Sequence, residues 1–174
     1  MASTQSAAMA ETFSKEFVIE RVFDAPRDLV WKVFTERNHL MNWWGPKGFK
    51  MIVGELDLKP GGSFHYGMQA PDGSEMWGMW VFREIVKPER LVFTSSFSDK
   101  DGGLTRHPMA PTWPIQMLGT MTLTSQGDKT LLVNRVVALN PTDDERTTFE
   151  GGFEGMKQGF GGTWDQLAAY LASL

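Results

Sequence analysis

No cysteine occurs in the 174-residue sequence, which excludes a disulfide scaffold, a thiolate-ligated metal and thiol catalysis. Histidine is scarce, and His39, His65 and His107 lie scattered along the chain. Basic charge is in deficit: 17 Lys and Arg against 21 Asp and Glu leave a formal charge of -4. That balance argues against a nucleic acid or an anionic membrane as partner, since either needs a basic patch. No apolar run approaches the ~18 residues of a membrane span. Residues 1–12, MASTQSAAMAET, have neither the basic start nor the apolar stretch of a signal peptide. They read as a disordered tail ahead of a single domain over 13–174. With no export signal and no disulfides, the cytoplasm is the expected compartment.

Several chemistries are missing as motifs. The chain has no G-x-S-x-G elbow, no H-E-x-x-H, no phosphate-binding G-x-x-x-x-G-K-[ST] and no G-x-G-x-x-G. The expectation is therefore no metal, no cofactor and no catalytic residue that sequence alone can name. What is abundant is bulk: seven Trp, twelve Phe and eleven Met, more large soft side chains than a core of this size needs. A chain of this length buries roughly 70% of its unfolded surface.

Periodicity organises that bulk. Phe17 to Phe23 reads as a strand. Pro26 opens a short helix, with Asp24 as its capping candidate, and Leu29/Val33 and Val30/Phe34 give it an apolar face. Thr35 is placed to cap a second short helix over 36–44, which Gly45-Pro46 ends. Strand-like alternation then covers 49–58, 63–69, 75–86, 91–97, 115–124 and 130–139, with Gly- and Pro-containing turns between. Such spacing predicts hairpins, hence one antiparallel meander. Residues 99–114 form the only long loop, of a size often used as a lid.

Thr142 with Glu145 matches the capping-box spacing. Beyond it Phe149, Phe153, Met156, Phe160, Trp164, Leu167, Leu171 and Leu174 fall within an arc of about 80° on a helical wheel. A helix over 143–172 would run ~45 Å. Six glycines between 151 and 162 lower helix stability there by ~1 kcal/mol each relative to Ala. They read as a bend that admits a ligand, a close approach to the 99–114 loop or to a second copy of the chain, or a helix break near 151. The order strand, two short helices, six strands and long helix describes an α+β domain, one curved sheet gripping one helix. Such a sheet seldom closes fully, and the gap becomes a cavity.

Alternation selects the side chains that face this gap: Phe64, Tyr66 and Met68; Trp80 and Phe82; Met117 and Met121; and Phe153, Met156, Phe160 and Trp164 from the helix. A plain hydrophobic core is the competing reading for each. Glu84 and Arg135 are charges inside apolar strands. Inward they must pair or meet a polar group of a ligand; outward they belong to a solvated face. His65, on the face opposite Phe64 and Tyr66, and His107, in the loop, have no acid–base partner at motif spacing. Trp43-Trp44-Gly45-Pro46 reads as a helix stop whose indoles fold under the sheet edge.

Four ordered segments carry a resemblance. Ala25-Pro26, Val30-Trp31, Phe34-Thr35, Trp43-Trp44-Gly45-Pro46 and Phe49 form the first; Asp57-Leu58-Lys59-Pro60-Gly61-Gly62 is the second. The third runs from Val81 to Thr94 (VFREIVKPERLVFT) and the fourth from Gly159 to Leu171. Together they resemble the bacterial proteins similar to the activator of heat-shock protein 90 ATPase, in the START-like (SRPBCC) superfamily with the Bet v 1-like helix-grip fold. Lys59 stands for the usual arginine, Trp80 for a glycine, Phe160 for a tryptophan and Trp164 for a leucine. The resemblance implies a hydrophobic ligand or a protein partner and no shared catalytic residues. The expected function is binding of a small apolar or amphipathic molecule between helix and sheet. A chaperone-ATPase-stimulating module and a cyclase- or hydrolase-like enzyme are the alternatives.

Overall fold

The computed structural model describes residues 10–174. Its elements are β1 (Phe17–Phe23), α1 (Arg27–Thr35), α2 (Arg37–Trp43), β2 (Lys50–Leu56), β3 (Ser63–Gln69), β4 (Glu75–Val86), β5 (Arg90–Ser98), β6 (Leu104–Thr105), β7 (Met117–Gln126), β8 (Lys129–Ala138), α3 (Asp143–Gly151) and α4 (Phe153–Ala172). One antiparallel sheet runs in the order β1-β8-β7-β5-β4-β3-β2, with the short β6 paired to β5. The helix-grip order and the meander stand as the sequence implies. The 99–114 segment differs in carrying β6, which ties the loop back to the sheet.

Register decides which side chains enter the core. Strand pairs place Phe64, Trp80, Ser95, Met117 and Ala138 in one row, and Phe82, Phe93, Gly119, Val136 and Phe17 in the next. Cross-strand neighbours in a row share a face of the sheet, here the inner one. A bulge between Phe82 and Glu84 resets the alternation of β4 and bends the strand. Two buried clusters result. The larger unites α1, α2, the sheet and the C-terminal half of α4; the smaller gathers Phe17, Val136, Ala138 and Phe149.

The last helix is two helices. Thr142 accepts from the Glu145 backbone, while the Glu145 carboxylate accepts from Thr142 N–H, completing the capping box of α3. The continuous 143–172 helix is corrected at Gly152, which ends α3 and begins α4. A Cβ there would lie 3.2 Å from both the Thr148 carbonyl and the Trp113 ring, so the break sits where Trp113 presses on the backbone. Within α4 the burial is lopsided. Thr163, Trp164, Leu167 and Leu171 are buried, whereas no residue from 153 to 162 is, and Leu174 of the expected stripe is exposed. Thr163 and Gln166 donate to the Gly45 carbonyl and pin the C-terminal half to the α2 stop.

Glycine in the loose half is not required by packing. A Cβ at Gly155 or Gly161 would meet nothing within 4 Å. Gly155→Ala and Gly161→Ala are each expected to raise stability by about 1 kcal/mol, read as a higher urea midpoint; a lower midpoint would contradict the open space.

Three local expectations are corrected. Asp24 does not cap α1, whose N-cap is Pro26 with no side-chain bond. Thr35 does not cap α2 either, because its hydroxyl donates to the Trp31 carbonyl. Of the tail, residues 1–9 lie outside the described residues, but Glu11 pairs with Arg83 and Thr12 exchanges hydrogen bonds with Asn140. Residues 11 and 12 are thereby tied to the domain.

Candidate functional site: an aromatic cavity under the last helix

A cavity of about 300 Å³ lies between the inner face of the sheet and α4. Tyr66, Met68 and Trp80 reach it from β3 and β4, and Met117 and Met121 from β7. Met156, Phe160 and Trp164 reach it from α4. Three of the four positions where the chain departs from its resemblance, 80, 160 and 164, thus stand on this wall. Trp80 is stacked on Phe93 at 4.5 Å and meets Trp44 edge-on at 4.7 Å. Gly78 makes room for this arrangement: a Cβ there would lie 2.4 Å from the Tyr66 hydroxyl. Tyr66 thus takes the space over Gly78, whereas Gly119, also on the wall, leaves space that no side chain fills.

The polar inventory is short. No Asp, Glu, His, Lys or Arg among the described residues lines the cavity. Tyr66, Ser95, Ser96, Asn134 and Thr163 supply its uncharged polar groups, Thr163 already donating to backbone carbonyls. The indole N–H groups of Trp44 and Trp164 are buried without a partner. That of Trp44 lies beside the Tyr66 oxygen but not in hydrogen-bond geometry. Burial pushes the Tyr66 hydroxyl up to about 12, opposed by the Trp44 and Trp80 indoles. The unfolded chain releases this proton near pH 10, so the folded state holds it more tightly. The resulting stabilisation is complete below pH 10 and is lost as pH rises from 10 towards 12. It amounts to roughly 2–3 kcal/mol. Between pH 9 and 11.5 the urea midpoint of wild type is expected to fall relative to that of Tyr66→Phe, which has no group to titrate there; an unchanged difference would contradict the buried hydroxyl.

The structure brings together eight of the eleven apolar candidates: Tyr66, Met68, Trp80, Met117, Met121, Met156, Phe160 and Trp164. Three do not reach the cavity. Phe64 and Phe82 are fully buried among other rings, Phe64 lying 5.0 Å from Tyr66 and Phe82 6.4 Å from Trp80. Phe153 packs on Phe17 and Phe149 in the smaller cluster. The polar candidates are corrected outright. After the β4 bulge Glu84 faces solvent and pairs with Arg90 at 3.3 Å, and Arg135 faces solvent and pairs with Glu16 at 2.7 Å.

Asn134 takes the inward place on β8. It is 5% exposed, lies opposite Met121 and lines the cavity. Alternation had the signal, since Leu132, Asn134, Val136 and Ala138 form one buried face, but the charge of Arg135 drew notice first. Trp44 and Trp113 were also missed as wall residues, because helix stops and loops have no period to read. His65 is buried on the opposite face, its ring against Trp77 and its Nε2 3.1 Å from the Asp99 carbonyl. His107 accepts from the Met109 N–H within its own loop.

A curved sheet closed by a helix over an uncharged aromatic cavity defines a helix-grip domain of the START-like kind. The chain belongs to the family of Activator of Hsp90 ATPase homolog 1-like proteins, whose model matches residues 24–172. Solved structures share the fold. A protein from Nitrosomonas europaea is 26% identical, with a TM-score of 0.70 over 91% of this chain and 94% of that one. One from Arthrobacter aurescens is 24% identical, with a TM-score of 0.74 over 94% and 92%. No curated protein sequence matches the chain significantly. No helix among the described residues is long and apolar enough to cross a membrane.

Proposed function

We propose that this domain binds a small hydrophobic molecule in the cavity between α4 and the sheet. The observation that carries the reading is unfilled space of about 300 Å³ walled by aromatic and methionine side chains with no charge among them. That volume is at the lower end of ligand pockets, roughly 300–1,000 Å³. Covering ~300 Å² of apolar ligand surface contributes about 7 kcal/mol at ~25 cal/mol per Å². The corresponding affinity is on the order of ten micromolar before ordering costs. Methionine thioethers adapt to irregular shapes and make favourable contacts with ring edges, which suits more than one ligand. The absence of a titratable pair on the wall favours binding over acid–base catalysis.

The test is titration with N-phenyl-1-naphthylamine, a neutral probe whose emission rises in apolar surroundings, alongside native mass spectrometry of protein from its own host. Micromolar uptake with quenching of the wall tryptophans is expected, as is a retained small molecule. No uptake together with a clean apo mass would overturn the reading. The exposed Leu104 and Met109 on the 99–114 segment favour a second reading, a protein-partner surface of the kind the family description names. Purified Hsp90 would then hydrolyse ATP faster with this protein added; an unchanged rate discards it.

A further inference from the structure

We infer that the ligand is an uncharged, flat aromatic compound bearing one hydrogen-bonding group, a carbonyl or amide, that pairs with the side chain of Asn134. The inference rests on the cavity reading above and narrows it. Asn134 is held between Met121 of β7 and Ile19 of β1 in the sheet register, side chains that offer it nothing stronger than a thioether, a weak acceptor. Its side chain makes no hydrogen bond to the protein among the described residues, although it is 95% buried and lines the cavity. A buried amide without a partner costs about 1–3 kcal/mol. Leucine or valine would fill this position in an apolar row more cheaply, so the amide is a fixed polar contact waiting for one.

The rest of the wall sets the remaining chemistry. With no cation or anion lining the cavity, a carboxylate, phosphate or ammonium carried inside would lose water with no counter-charge, which is costly. Tyr66 stays protonated throughout the physiological range and provides no charge either. Rings line several sides, Trp80, Phe93, Phe160 and Trp164, and an offset or edge-on ring partner gains attraction beyond its buried area, which a flexible chain does not. A charged group carried inside the cavity is disfavoured by the first of these arguments, and long saturated chains by the second.

The experiment displaces bound N-phenyl-1-naphthylamine with three ligands of one shape: 2-naphthamide, 2-naphthoate at pH 8 and 2-ethylnaphthalene. Wild type is expected to take the amide at least ten times more tightly than the carboxylate. In Asn134→Leu the amide weakens about tenfold, whereas ethylnaphthalene binds as before or more tightly, and the melting temperature of the free protein rises. Equal affinity for amide and carboxylate in wild type would overturn the inference. So would equal weakening of amide and ethylnaphthalene in the variant, or a lower melting temperature, which would show that Asn134 was already satisfied within the fold. In each of those cases probe uptake itself leaves the cavity reading standing. If no probe enters wild type, the cavity reading fails and this inference with it.

Discussion

Gly119→Leu is expected to abolish uptake of N-phenyl-1-naphthylamine, by at least ~100-fold or nearly 3 kcal/mol, while the protein becomes more stable. Gly119 sits on β7 opposite Phe93, on the inner face and on the cavity floor. A Cβ added there would meet the Phe93 ring at 3.6 Å, an ordinary contact. The rest of a leucine side chain then has only the cavity to enter. Burying it there contributes about 1.5–3 kcal/mol, and replacing glycine within a strand adds a few tenths more. The two readouts move oppositely, loss of binding with a higher urea midpoint. That combination separates an empty cavity from a packed core, because in a packed core the extra atoms would cost about 1–3 kcal/mol. A lower midpoint with probe uptake intact would contradict the geometry.

Trp164→Ala is expected to cost about 3–5 kcal/mol, a large share of the 5–15 kcal/mol that holds a domain of this kind. Trp164 is 2% exposed and meets Phe23, Phe34, Trp43 and Phe160 with ring centroids 5.7–6.4 Å apart. It is the residue through which α4 holds α1, α2 and β1 at once. Trp113→Ala is the comparison: Trp113 also lines the cavity but is half-buried and packs mainly on Phe149 and Gly152. Its loss is expected to cost about 1 kcal/mol. Thermal unfolding of both variants checks the contrast, and equal losses would show that α4 is not anchored at 164. Because the half of α4 before Thr163 buries no residue, hydrogen exchange should find 153–162 opening more readily than 163–171.

Much of this organisation is legible in the sequence because it follows from local periods. The strands at 63–69 and 130–139 alternate, the α3 start carries its capping box, and the stripe from Phe149 to Leu171 repeats at helical spacing. The cavity wall is legible to the same extent, wherever alternation assigns a face. It fails where the period is interrupted. The β4 bulge turns Glu84 outward, one position of register separates Arg135 from Asn134, and Gly152 divides a stripe that reads as one helix. Trp44 and Trp113, from a stop and a loop, come to the wall only through long-range packing.

Sequence alone determined that the missing cysteine and the surplus of Trp, Phe and Met belong to an α+β helix-grip domain with an apolar interior, since composition and period act locally. Only the tertiary structure decided how that surplus is spent. Whether two aromatic rows interlock or leave a gap depends on which residues meet across strands. Here Tyr66 fills the space over Gly78 while Gly119 leaves room beside Phe93, and Asn134 faces the cavity with no hydrogen bond from its side chain among the described residues.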